Sequence, residues 1–310
     1  MGMSICVVGA GALGSAFAAL LLDSGCDVTL LCRRSEHVKE INENGLAVNI
    51  DGQTKVSMVR ATADSRDIPV VDLIIILVKS RQTRGAIQSA LGVVGGKSSV
   101  LTIQNGLGNE EILAEVVGAD KVLSARTYVG SARNHLGQFE VTIQNKETVI
   151  GETDGRITPR LEKIARTFGD AGLLTVISQN IVGTIWDKLL VNLATGALSA
   201  ITRLAYGDLY EIEEVERSAF EIITEGINLA DALGVEITER NLKVIWEHAR
   251  VRLPRGFKAS MLQSVERREL TEIDFINGAI VRLGVRFGIA TPANNAMLAA
   301  LKGIERSFIS

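Results

Sequence analysis

The stretch ICVVGAGALGSAFAALLL, residues 5–22, holds eighteen residues without a charge, and its reading decides the fold. By length it reaches the threshold of a membrane span. Three glycines interrupt it, however. Gly9, Gly11 and Gly14 form a GxGxxG between the β-rich ICVV and the helical SAFAALLLDSG of residues 15–25. In that setting each glycine has a mechanical task. Gly9 makes the tight turn, Gly11 lets a pyrophosphate approach the backbone, and Gly14 lets the helix pack on the strand. The anion then sits on the N–H groups that open the helix, with Ala12 and Leu13 among them. The bland alternative is a glycine-rich turn that binds nothing; the strand–loop–helix context favours the dinucleotide site. No basic leader precedes the run, so a cytoplasmic chain is expected.

Working outward, DVTLLC (27–32) reads as the second strand and ends in Arg33-Arg34. A site for NAD carries an acid there to hold the ribose hydroxyls. Here the nearest acid is Glu36, and guanidiniums suit a 2′-phosphate, so NADP(H) is the expected cofactor with Arg33 as its reader. HVKEINENG (37–45) is a helix, and AVNIDG with TKVSMVRATA forms a small hairpin around Asp51-Gly52. VDLIIILV (71–78) and SSVLTIQ (98–104) are buried central strands. Helices fall at RQTRGAIQSALGVV and NEEILAEVVG. KVLSARTYV and then GQFEVTIQNKETVIGE (137–152) extend the sheet in antiparallel fashion, and RLEKIARTFGDAG with LLTVIS adds one more helix and strand. Beyond about residue 180 the pattern is helical, at 181–200, 208–233, 238–252, 258–267, 271–287 and 292–306. The expected fold class is α/β: an N-terminal Rossmann-type doubly wound sheet over residues 1–179, followed by an all-helical C-terminal domain over 180–310. No Pro-, Gly- or Ser-rich linker separates them, so close packing around a cleft is expected.

A length of 310 residues suits two domains, and 46% hydrophobic with 22% charged residues is a globular composition. A net charge of −3 and 4% aromatics give no footprint for nucleic acid. Cys6, Cys26 and Cys32 lie in or beside apolar strands, and His37, His135 and His248 are scattered. No metal set is expected, and the cysteines read as small buried hydrophobes.

In a doubly wound sheet, ligands bind beyond the carboxyl ends of the strands. Lys79 stands at one such end and Gln104-Asn105-Gly106 at another. In the helical half, WDKLLVNLATG (186–196) places Lys188 and Asn192 at i and i+4, on one helix face. Reducing a ketone with a nicotinamide needs a proton and positive charge where the alkoxide develops. Lys188 can supply both; the plainer reading is a lysine snorkelling from a half-exposed helix. SMLQSVERRELTEIDFING (260–278) adds Ser260 as a hydrogen-bond donor and Glu272 as a carboxylate that could orient Lys188 or bind a substrate hydroxyl. Glu272 also reads as a first-turn glutamate beside a capping Thr271.

Taken together, GAGALG, VK (78–79), QNG (104–106), WDKLLVN (186–192), SMLQ (260–263), TEIDFINGAIVRLG (271–284) and TPAN (291–294) resemble ketopantoate reductases in order and spacing. The resemblance spans essentially the whole chain. It implies a Rossmann domain binding NADPH and a helical domain closing over 2-dehydropantoate, giving pantoate for pantothenate and coenzyme A synthesis. It implies Lys188 as catalytic lysine and general acid, and Glu272 as the acidic partner that binds the substrate or its lysine. Asn105, Asn192 and Ser260 become substrate contacts, Lys79 lies at the junction of cofactor and substrate, and Arg33 reads the 2′-phosphate. The implied partner is a small 2-oxo acid, with no nucleic acid or membrane, and a homodimer is the assembly allowed for. Three positions depart from the family: Gly196 and Tyr206 replace asparagines, and Ser264 replaces an aspartate. They leave open a reductase of a different or opine-like 2-oxo acid, while a dinucleotide-binding sensor without chemistry would not need Lys188 or Glu272.

Overall fold

A computed structural model describes residues 2–50, 52–135, 138–142 and 146–308. The chain forms two compact units. One comprises Met1–Gln104 with Asn109–Ile181, and the other Asn105–Gly108 with Val182–Ser310. A single boundary along the chain therefore misses a four-residue excursion, Asn105–Gly108, which belongs to the C-terminal unit.

The first unit opens β1 (Ser4–Val8), α1 (Ala12–Asp23), β2 (Asp27–Leu31), α2 (Ser35–Asn44), β3 (Leu46–Ile50), β4 (Gln53–Ser57), β5 (Arg60–Thr62) and β6 (Val71–Ile76). It continues with α3 (Thr83–Ser89), β7 (Val94–Thr102), α4 (Asn109–Val117), β8 (Val122–Thr127), β9 (Gly130–His135), β10 (Gln138–Thr142), β11 (Thr148–Glu152), α5 (Pro159–Asp170) and β12 (Thr175–Ile177). Eight strands make one sheet in the order β12-β11-β8-β7-β6-β1-β2-β5. Its core is parallel, and β11 turns antiparallel against β8. Apolar residues cover both faces, which is why β1, β6 and β7 read as continuous hydrophobic runs rather than alternating ones. The uncharged stretch 5–22 accordingly splits into buried β1, a glycine turn and buried α1.

One expectation is corrected. The run 137–152 does not extend the main sheet as a whole. Only β11 does so; β10 pairs in parallel with β3 inside a separate four-stranded sheet of order β4-β3-β10-β9. Alternation in β10 records which side chains are buried, Phe139 and Val141, but not which strand supplies the hydrogen bonds. Gly137 and residues 143–145 of that run, and Asp51 of the β3–β4 turn, lie outside the described residues.

The second unit is helical: α6 (Ile181–Thr202), α7 (Tyr206–Leu209), α8 (Glu213–Ala232), α9 (Leu242–Arg252), α10 (Ser260–Glu266), α11 (Asn277–Phe287) and α12 (Pro292–Arg306). A 3₁₀ turn at Ile273–Phe275 precedes α11. Helix α6, at 22 residues, is long and apolar enough to cross a membrane by length and composition, but 61% of its apolar window is buried. Its Leu189, Leu190, Leu193, Ala194 and Ala197 pack into the core with residues of α8, α9 and α10. A carboxylate sits inside this unit as a cap: Glu225 of α8 accepts from the backbone N–H groups of Ala293 and Asn294, which open α12. That charge suits the positive end of a helix.

Candidate functional site

The glycine loop is built as its sequence requires. Gly9 adopts φ +116°, and a Cβ there would stand 2.6 Å from Leu77 O. A Cβ on Gly14 would fall 2.0 Å from Gly9 O, so α1 can approach its own turn only through a glycine. Gly11 differs: a Cβ on it would meet no atom of the protein within 4 Å. It is the N-cap of α1 without any side-chain cap, and exposed. The start of α1 thus offers N–H donors beside open space, the geometry a pyrophosphate fits. Ala12 and Leu13 open that helix and are half-buried. Arg33 and Arg34 follow β2 and are exposed, with Arg34 at the N-cap of α2.

At the carboxyl ends of β6 and β7 the side chains interlock. Gln104 Nε2 donates to Val78 O at 2.7 Å and to Thr83 Oγ1 at 2.9 Å. Thr102 Oγ1 donates to Gln104 Oε1 at 3.0 Å. Asn109 Nδ2 donates to Ser80 Oγ at 3.3 Å. Lys79 lies half-buried inside this turn, as N-cap of the short 3₁₀ segment at Ser80–Gln82. Sequence reasoning found Lys79 but missed Ser80, Thr83 and Asn109, small polar residues that look like ordinary loop and helix-start positions. Their buried state is a tertiary fact. It also missed Glu110, in the first turn of α4. Burial pushes this carboxyl up to about 7, partly offset by hydrogen bonds including one from Ser124 Oγ at 3.2 Å. The three cysteines are buried and unbridged. Burial pushes Cys6 up to about 12 and Cys32 to about 11.

The second unit holds the other expected residues, and it brings Lys188 and Asn105 together from distant segments. Lys188 of α6 is half-buried, and its Nζ donates to Asn105 Oδ1 at 2.8 Å across 83 residues of chain. Asn192 follows one turn later on the same helix and is half-buried. Asn105 arrives there because its segment docks on the 3₁₀ turn before α11. Leu107 N donates to Phe275 O at 2.8 Å. Gly106, at φ +86°, comes so close to Phe275 O that a Cβ would lie 2.4 Å from it. Glu272 begins this turn and is half-buried. Thr271 does cap locally, accepting from Ile273 N at 3.2 Å, yet Glu272 precedes a 3₁₀ turn rather than standing in the first turn of α11. Ser260 is the exposed first residue of α10. Asn105 thus joins Lys188, Asn192, Ser260 and Glu272 in the helical unit, while Gly9, Gly11, Ala12, Leu13, Gly14, Arg33 and Lys79 belong to the other.

The three departures are part of the helical core. Gly196 is buried, and its missing side chain is replaced by Met261, whose Cε would lie 3.4 Å from a Cβ there. Tyr206 is 6% exposed and packs edge-on against Tyr210 and obliquely on Phe257, with ring centroids 5.7 and 5.3 Å away. Burial raises its phenol above the ordinary range. Ser264 is buried and donates to Ser260 O at 3.2 Å.

Comparison with known proteins agrees on both halves. The family model for ketopantoate reductase PanE/ApbA matches residues 5–155, and that for its C-terminal domain matches residues 180–305. A 2-dehydropantoate 2-reductase of Halobacterium salinarum is 34% identical over 293 residues, covering 94% of this chain and 95% of that protein. A crystal structure of a PanE/ApbA family ketopantoate reductase from Ralstonia eutropha superposes with a TM-score of 0.90 at 31% identity, over 99% of this chain and 100% of the other. A D-mandelate dehydrogenase solved with NADH and anilino(oxo)acetate gives a TM-score of 0.92 at 26% identity, over 99% and 100% of the two chains. On these matches, which span both units, the chain belongs to the ketopantoate reductase family.

Proposed function

We propose that this chain is a cytoplasmic reductase that converts a branched 2-oxo acid to its 2-hydroxy acid with NADPH, and that Lys188 gives the proton. The family's reaction, 2-dehydropantoate to pantoate in pantothenate and coenzyme A synthesis, is the first reading. The observation that carries it is the 2.8 Å hydrogen bond from Lys188 Nζ to Asn105 Oδ1. A lysine on a largely apolar helix, held by an amide from another segment, is a proton donor with a fixed aim. The residues of the glycine loop fit a dinucleotide: open space at Gly11 and uncapped N–H groups at α1 receive the pyrophosphate. Arg33, exposed after β2 with no acid beside it in sequence, favours a 2′-phosphate. When bound, the reduced nicotinamide supplies the hydride.

The chain's own residues do the rest. As hydride reaches the 2-oxo carbon, negative charge grows on its oxygen. The Lys188 ammonium stabilises that charge and passes a proton to it. The Asn105 carbonyl keeps the ammonium turned one way, while its amide N–H groups are donors suited to the substrate carboxylate. Asn192, on the same face of α6, and Ser260, at the start of α10, are the further polar contacts for the acid. Glu272 is the carboxylate that balances the lysine. The buried aromatic packing of Tyr206 and the Met261 filling beside Gly196 favour a second reading, a different 2-oxo acid served by the same chemistry.

The test is steady-state oxidation of NADPH and NADH with 2-dehydropantoate and a panel of other 2-oxo acids. A tenfold or greater preference for NADPH with turnover of a branched 2-oxo acid is expected. Absence of turnover with every acid would sink the reductase reading. A preference for NADH would sink the role of Arg33 alone.

A further inference from the structure

Resting on that reductase reading, we propose that Thr83 is a positioning residue for the reaction. It ties the turn carrying Lys79 to both ends of the segment that carries Asn105. The chain leaves the first unit after Gln104 and re-enters it at Asn109. Both of those residues bond to the same hydroxyl. Thr83 Oγ1 accepts from Gln104 Nε2 at 2.9 Å and has two acceptors within reach of its single proton, Ser80 O at 2.8 Å and Asn109 Oδ1 at 3.0 Å. Thr83 is fully buried, and Asn109 is 1% exposed. The same network holds the other flank of the Lys79 turn, since Gln104 Nε2 also donates to Val78 O and Asn109 Nδ2 to Ser80 Oγ.

The arrangement has a consequence for Asn105, one peptide bond from Gln104. The four residues between Gln104 and Asn109 include Gly106 at φ +86° and Gly108 at φ +96°, so their backbone has no side-chain constraint of its own at two positions. What limits the segment on the side of the first unit is the pinning of its two ends. Asn105 in turn accepts from Lys188. Loosening the ends therefore blurs the aim of the proton donor. Misplacement by about 1 Å can cost on the order of 100-fold in rate.

Thr83→Val keeps the shape and removes the hydroxyl, and Thr83→Ser keeps the hydroxyl and removes a methyl. Both are measured in the full chain as kcat per NADPH-binding site, with NADPH titrated by fluorescence and the oxo acid that wild type turns over best. Thr83→Val is expected to lower kcat by about 10- to 100-fold while the NADPH dissociation constant stays within about fivefold. Thr83→Ser is expected within about threefold of wild type. A purely structural role would lower the number of binding sites but not kcat per site. Should Thr83→Val fail to fold, Asn109→Ala carries the same expectation. A kcat per site within twofold of wild type in the measured variant overturns the inference, as does Thr83→Ser as impaired as Thr83→Val. A wild type inactive on every 2-oxo acid overturns the reductase reading and this inference together.

Discussion

The glycine loop and the Lys188–Asn105 pair are built in opposite ways. The loop spans Gly9 to Gly14 and is shaped by backbone contacts, to Gly9 O within the loop and to Leu77 O and Leu31 O of neighbouring strand ends. The lysine cluster uses side chains and draws Lys188 and Asn105 together from 83 residues apart. A backbone site tolerates changes in its neighbours but not in its glycines. A side-chain site depends on every segment that delivers a residue to it, including the docking of Gly106 and Leu107 on Phe275.

The sharpest way to break the contrast is Lys188→Ala. It is expected to lower kcat by about 10²- to 10⁴-fold, the range for removing a positioned proton donor, with NADPH affinity within threefold of wild type. Equal loss of NADPH binding, read by fluorescence titration, would mean that the two sites are not separable in this way. Within the loop, two glycines should part company. Gly14→Ala drives a Cβ into Gly9 O, so loss of folded protein in the soluble fraction is expected. Gly11→Ala meets no protein atom, so its melting temperature should stay within about 2 °C of wild type while NADPH binding weakens tenfold or more. If Gly11→Ala binds NADPH normally, the open space at α1 is not the phosphate site.

Arg33→Ser is a smaller change. Loss of one charge-assisted contact should raise KM for NADPH by about tenfold and leave that for NADH unchanged. The smallest expected effect concerns stability. Glu110 is held near 7 in the folded chain against an ordinary value of 4.5, chiefly by burial. Between those values the folded state binds the extra proton, so stability is present below about pH 4.5 and is lost as pH rises through 7. Glu110→Gln should therefore melt at a higher temperature than wild type at pH 8, with the gain fading below pH 5. Melting curves of both proteins across that range check the sign.

Much of this molecule was legible in advance, for a local reason. Strands β1, β6 and β7 and helix α1 announce themselves through periodicity and glycine spacing, and each is stabilised mainly by the pattern that reveals it. Lys188 was visible as a lysine in a largely apolar helix. Asn105 was visible at a strand end, but not its attachment to the helical unit, because no pattern in QNGLG says which surface the segment will meet. The same limit explains β10, whose alternating faces are plain while its partner β3 is not. It also explains Gly196: the sequence shows a vacancy, and only packing shows that Met261 fills it.

The sequence by itself determined the α/β and helical halves and the glycine turn between β1 and α1, and it supplied the residue types that the proposed hydride chemistry needs, since these follow from spacing along the chain. The tertiary structure decided which distant residues meet. It placed Asn105 with Lys188 and pinned Gln104 and Asn109 through Thr83. The physical reason is that side-chain hydrogen bonds between distant segments form only after the core has fixed where those segments lie, and nothing in the local sequence records that packing.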